Sequence, residues 1–163
     1  MAKGAAVVAL VALALAAAGC GGGVNDGNVS PSSVEKKAQT LSQQTLDALR
    51  PVIGSARTSV DRDGWEKCTT ETPGQHRFEY RYIMKLDVPR DQSKAAVDAA
   101  RADFTKRGYR VDVADPKNPR VGAMEAHSSW WIGVGASQST TSMFISVESS
   151  CVFTTHDPKT TTS

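Results

Sequence analysis

From His76 to Val88 every second position is apolar or aromatic: His76, Phe78, Tyr80, Tyr82, Met84, Leu86 and Val88. Arg77, Glu79, Arg81, Ile83, Lys85 and Asp87 fall between them. A period of two places the first set on one face of a strand, the pattern of an antiparallel strand with one side on a core. Trp65 to Thr70 is a shorter run of the same type. The turn residues Thr72-Pro73-Gly74-Gln75 separate the two, so together they predict a hairpin. Helical spacing stands on either side of it. Ser32-Ser33-Val34-Glu35 has the S-x-x-E form of a capping box, and Ala38, Leu41, Leu46, Ala48 and Leu49 continue a stripe that Pro51 and Gly54 should end. After the hairpin, Pro89-Arg90-Asp91 opens a second helix with Ala96, Val97, Ala100 and Phe104 on one side and Gly108 as its stop.

Tyr109, Val111 and Val113 then alternate as a strand, and Asp115-Pro116-Lys117-Asn118-Pro119 is loop by composition. Three more strand-like runs follow, Val121 to Ala126, Trp130 to Ala136 and Met143 to Phe153, with Gln138-Ser139-Thr140-Thr141 between the last two. The predicted order is α-β-β-α-β-β-β-β. Its simplest solution is an α+β domain over residues 33–153, with two helices packed on one face of a mainly antiparallel sheet. Residues 154–163 are polar and read as a frayed tail.

The N-terminus follows a different pattern. Lys3 precedes an unbroken apolar run from Ala5 to Ala18, shorter than the about 20 residues a spanning helix needs. Residues 1–19 therefore read as an export signal. Its end, Leu15-Ala16-Ala17-Ala18-Gly19-Cys20, resembles the lipobox of bacterial lipoproteins, with Ala18 and Gly19 at the small positions and Ala17 where Leu is usual. The resemblance implies that Cys20 receives diacylglycerol and becomes the mature N-terminus, anchoring the chain to the membrane. Residues 20–32 continue from Cys20 with Gly21-Gly22-Gly23 and offer little to pack, as a tether should. A flexible segment of this length holds a domain roughly 15–20 Å from its anchor.

Cysteine parity agrees with this reading. Acylation of Cys20 would leave Cys68 and Cys151, and an exported domain with two remaining cysteines is expected to pair them. Cys151 shares parity with Met143, Ile145 and Val147, so it should face the core if its strand stays regular. Neither C-x-x-C spacing nor nearby ligands suggest a redox or metal role.

Trp65-x-x-Cys68, the long aromatic strand, Arg107-Gly108-Tyr109-Arg110-Val111 and the ending Ser149-Ser150-Cys151-Val152 together resemble a group of uncharacterised actinobacterial, Streptomyces-type cell-envelope lipoproteins. That group more usually has proline where Ser150 stands. The resemblance implies a lipidated, exported α+β domain at the outer face of the cell membrane, and it implies no activity.

The 163-residue chain carries 19 Lys+Arg against 17 Asp+Glu, which is not the basic footprint of a nucleic-acid binder. His76, His127 and His156 have no i, i+4 pairing or ligand spacing, so neither a metal nor a cofactor is expected. Gly135-Ala136-Ser137-Gln138-Ser139 lacks the second glycine of a nucleophile elbow, and Gly133-x-Gly135 leads into no helix. Asp112-x-x-Asp115 lacks the alternating ligands of a calcium loop. Glu79, Glu125 and Glu148 all fall in predicted strands, and nothing singles out two of them as a catalytic pair.

Aromatic residues remain. Core packing accounts for most of them, but Trp130 and Trp131 must point to opposite sides of the sheet. Whichever faces outward would, beside Arg77 and Arg81, make an interaction surface of the kind Trp and Arg dominate. The expected function is a non-catalytic binding module of the envelope for a protein, glycan or small ligand. A small envelope hydrolase or wall accessory enzyme is the alternative, and a carrier of a lipid or other apolar ligand is the next.

Overall fold

The computed structural model describes residues 29–68, 77–112, 119–137 and 142–159. Its elements are α1 (Pro31–Ile53), β1 (Thr58–Lys67), β2 (Arg77–Asp87), a 3-10 turn (Arg90–Gln92), α2 (Ser93–Lys106), β3 (Arg110–Val111), β4 (Arg120–Met124), β5 (Trp131–Ala136), β6 (Ser142–Glu148) and β7 (Val152–Phe153). The strands form one antiparallel sheet in the order β1-β2-β6-β5-β4-β3, and β7 pairs with β2 alongside β6. Both helices lie on one face, α1 over β2 and β6 and α2 over β3, β4 and β5, as the α+β reading expects. No helix among the described residues is long and apolar enough to cross a membrane.

The alternation of β2 carries through. Phe78, Tyr80, Tyr82, Met84 and Leu86 are buried under the helices, and the intervening residues face the other way. Leu41, Leu49, Ala96, Ala100 and Phe104 meet them from above, and Ile132, Val134, Ile145 and Val147 continue the same floor on β5 and β6. α2 ends where Gly108 takes a positive φ of 73°, a conformation that costs a residue with a Cβ about 1–2 kcal/mol. Gly108 N–H donates to Thr105 O and Tyr109 N–H to Phe104 O, both at 3.0 Å. This is the Schellman pair, and its usual apolar contact is present: the rings of Tyr109 and Phe104 stack at 6.0 Å.

Four expectations change. α1 starts at Pro31 with Ser30 as its N-cap, earlier than the capping box implied. Glu35 does not reach back to the helix start but accepts the indole N–H of Trp65 at 2.9 Å, while Ser33 Oγ donates to Ser30 O at 2.7 Å. β1 begins at Thr58, well before Trp65. The run from Met143 to Phe153 is broken at Ser149–Cys151 into β6 and β7. Ser149 maintains the ladder across the break, its N–H donating to Tyr80 O at 2.9 Å and its Oγ accepting from Tyr80 N–H at 2.8 Å.

The break does not separate the cysteines. Cys68 and Cys151 stand at disulfide distance with Cα atoms 6.2 Å apart, joining the end of β1 to the start of β7. The start of the polar tail is also structured. Val29 forms a parallel bridge with Thr154, donating to Phe153 O at 2.8 Å and accepting from Thr155 N–H at 3.0 Å, and Pro158 is buried.

Candidate functional site

Register across the uncovered face of the sheet places side chains in rows. Met124, Trp131, Glu148 and Arg81 form one row, Gly122, Gly133, Ser146 and Ile83 the next, and Arg120, Gly135, Phe144 and Lys85 a third. The middle row is nearly without side chains where it crosses β4 and β5. It therefore makes a trough, and the Trp131 indole lies in it.

The fit is close. A Cβ on Gly133 would stand 2.8 Å from Trp131 Cζ3 and nearer still to Cη2, and one on Gly122 would stand 3.0 Å from Nε1 and closer to Asp112 Oδ2. Only glycine lets the ring settle across these two opposed residues. The result is a cleft of about 440 Å³ with the indole, Gly122, Gly133 and Gly135 as its base and Asp112, Arg120, Phe144 and Ser146 around it. Its volume is within the range of small-ligand sites, about 300–1,000 Å³.

Beside the cleft is a lattice of charges. Arg81 lies 3.1 Å from both Glu79 and Glu148 and 4.0 Å from Glu66, and Glu66 also bonds Arg62. All five side chains are partly exposed, so each contact contributes little to stability, about 0–1 kcal/mol. Their effect is positional: Arg81 is held by its neighbours. Arg77 is similarly engaged, donating to Cys151 O at 3.1 Å and lying 5.2 Å over the Phe153 ring.

Of the four residues expected to form an interaction surface, Trp131, Arg77 and Arg81 share the helix-free face, and Arg77 stands at its β7 end. Trp130 does not join them. It turns towards α1, where Lys37 Nζ sits 5.2 Å above its ring. Lys37 also donates to Glu125 at 2.7 Å, and Ser128 Oγ donates to the same carboxylate at 2.6 Å. Burial pushes the Glu125 carboxyl up, but these two hydrogen bonds and the lysine charge outweigh it and hold it below the usual range. Glu79 and Glu148 meet on Arg81, and Glu125 is on the helix side.

His127 occupies the turn between β4 and β5 with φ 60°, and His156 is exposed with Nδ1 3.1 Å from Thr155 Oγ1. Among the described residues no cluster of His, Cys, Asp and Glu could hold a metal ion. Cys20 and His76 lie outside the described residues. The cleft residues other than Trp131 were missed as a group because glycines and single charges carry no signal alone. The spacing Trp131-x-Gly133-x-Gly135 does carry one, since a strand puts all three on one face.

A second polar cluster lies beneath the N-terminus of α1. The Tyr80 hydroxyl donates to Asp63, and its ring packs tilted against Trp65 at 5.1 Å. Burial, then the hydrogen bond and charge of Asp63, raise the Tyr80 hydroxyl far above the ordinary tyrosine value. Tyr82 is raised by burial and then by the Asp63 charge. A raised folded value means that the Tyr80 contribution to stability is whole below the unfolded value of about 10. It is lost progressively as pH climbs from there towards the folded value. Urea midpoints taken on both sides of about pH 10 should fall more steeply for the native chain than for Tyr80→Phe. Parallel slopes would show that Tyr80 is not the group responsible.

Compared with protein families, with curated proteins and with solved structures, the chain matches none.

Proposed function

We propose that the chain is an exported lipoprotein, held at the outer face of the cell membrane by an acylated Cys20, that acts there as a non-catalytic binding module. Its ligand face is the helix-free side of the sheet. The observation that carries this reading is the Trp131 ring, laid over Gly122 and Gly133 in an open cleft rather than packed in the core. The opposite side of the sheet favours it over an internal carrier, because Leu49, Leu86, Phe104, Ile132, Met143 and Ile145 fill the space under the helices.

The anchor and the face are tested separately. Cys20→Ala should move the protein from the membrane fraction to the medium and abolish its labelling by an alkyne-bearing fatty acid. Retention on the membrane with unchanged labelling would remove the anchor from the proposal. For the face, a photo-crosslinking p-benzoylphenylalanine replaces Ile83, on the helix-free side, or Gln39, exposed on α1. Adducts in whole cells should form from position 83 and not from position 39. Equal yields from both, or none from 83, would overturn the choice of face.

A further inference from the structure

We infer that the Trp131 cleft binds a neutral pyranose residue, stacked on the indole and hydrogen-bonded at its edges. This inference rests on the binding-module reading and names the ligand class for the same face. The Nε1, Cζ2, Cη2 and Cζ3 atoms of the Trp131 ring lie against Gly122 and Gly133, and the ring also lines the cleft. A sugar ring has a matching shape: one face rich in C–H groups, which carry slight positive charge, and a rim of hydroxyls. An aromatic face is negative, so it attracts those C–H groups as well as removing them from water.

The rim of the cleft decides between ligand classes. Asp112 supplies a carboxylate acceptor, Arg120 a guanidinium donor and Ser146 a hydroxyl oxygen that can accept while its proton is donated to Glu148 at 3.3 Å. One anionic and one cationic side chain face the same space. A strongly charged ligand would satisfy one and be repelled by the other. A purely apolar ligand would cover both without replacing their water, leaving polar groups unpaired at about 1–3 kcal/mol each. Hydroxyls donate and accept at once, so a neutral polyol can satisfy carboxylate, guanidinium and serine together.

The glycines make this a shaped site and not merely an exposed tryptophan. Gly122 and Gly133 are directly opposed across β4 and β5, and the indole bridges them. Gly135 continues the low floor towards Phe144, its own register partner on β6. Any side chain at 133 would push the ring out of the trough, because the nearest atoms it would meet all belong to the rigid indole, while one at 122 would first displace the Asp112 carboxylate and crowd the ring.

The test titrates the full chain, held in a non-glycosidic detergent, with chitotriose, cellotriose and maltotriose by isothermal titration calorimetry. At least one should bind saturably at concentrations up to about 10 mM, equivalent to about −3 kcal/mol. Trp131→Ala should weaken that binding at least about tenfold, the equivalent of 1.4 kcal/mol. Gly133→Ala, which keeps the tryptophan but displaces it, should do the same. Circular dichroism on each variant reads the fold, and Arg120→Ala, at an exposed position, provides a third variant that leaves the sheet intact and should weaken binding several-fold.

Absence of saturable binding by all three trisaccharides would overturn the inference. So would binding that Trp131→Ala, Gly133→Ala and Arg120→Ala all leave unchanged, which would confine the indole to shielding the two glycines. Photo-adducts from position 83 without sugar binding would overturn the pyranose alone. Loss of both would remove the binding face as well.

Discussion

Breaking the Cys68–Cys151 link should lower the stability of the domain by up to about 4.5 kcal/mol, the loop-closure entropy of a bond spanning 83 residues. Native strain and residual structure in the unfolded chain reduce that figure, so a loss of about 3 kcal/mol would still fit. The bond ties β1 to β7, two elements that each pair with β2. Urea midpoints of the native chain under oxidising and reducing conditions, with Cys151→Ser as the third sample, measure the effect. Cys151→Ser should match the reduced native chain. Matching midpoints for all three would mean that the pair contributes nothing, and that the ladder through Ser149 holds β7 unaided.

Replacing Phe104 by alanine should cost about 3–5 kcal/mol, the usual range for removing a fully buried phenyl ring. Phe104 has no exposed surface and packs between α2, the sheet and the Tyr109 ring. Its loss would open a cavity and also remove the apolar contact that accompanies the Schellman turn at Gly108. A fall in melting temperature of about 10–15 °C is the expected reading for a domain of this size. A change equivalent to less than about 1 kcal/mol would show that α2 is only loosely docked. Phe104→Leu should recover much of the loss, because it refills most of the volume.

The sequence read well wherever burial alternates. β2 and the Ala96–Phe104 stripe of α2 each show one buried side and one wet side, and their periods survive in the structure. The first half of β1 was illegible for the opposite reason. As the outermost strand, with a register shift between Val60 and Arg62, it is exposed on both faces, and Val60 is 54% exposed. No core imposes a pattern there. The capping box was misread because Glu35 has a stronger use as the acceptor for a buried tryptophan N–H than as a partner for the helix start. The break at Ser149 was hidden because a serine side chain stands in for a backbone partner.

The candidate site was half legible. Opposite directions for Trp130 and Trp131 follow from strand geometry, but the choice between them needs the knowledge that Ile132 and Val134 are the β5 side chains buried in the core. The glycine floor depends on register between strands that are distant in the chain. Gly122 meets Gly133, and Asp112 meets Gly122, only after β3, β4 and β5 have paired. Such a site is built from the absence of side chains, which periodicity does not register.

The bridge at Val29 sets the route by which force would enter the domain. Its two hydrogen bonds join the chain just before α1 to Phe153 and Thr155, directly after the Cys68–Cys151 junction. With an anchor at Cys20, tension on the membrane side would arrive at this corner. The load would pass into β7 and β2 and through the covalent link to β1. The Trp131 cleft, on β5, is separated from β2 by β6. A pull on a ligand held there would therefore reach the anchored corner only through the β5–β6 and β6–β2 ladders, so the hydrogen bonds of β6 would carry the load between the two ends.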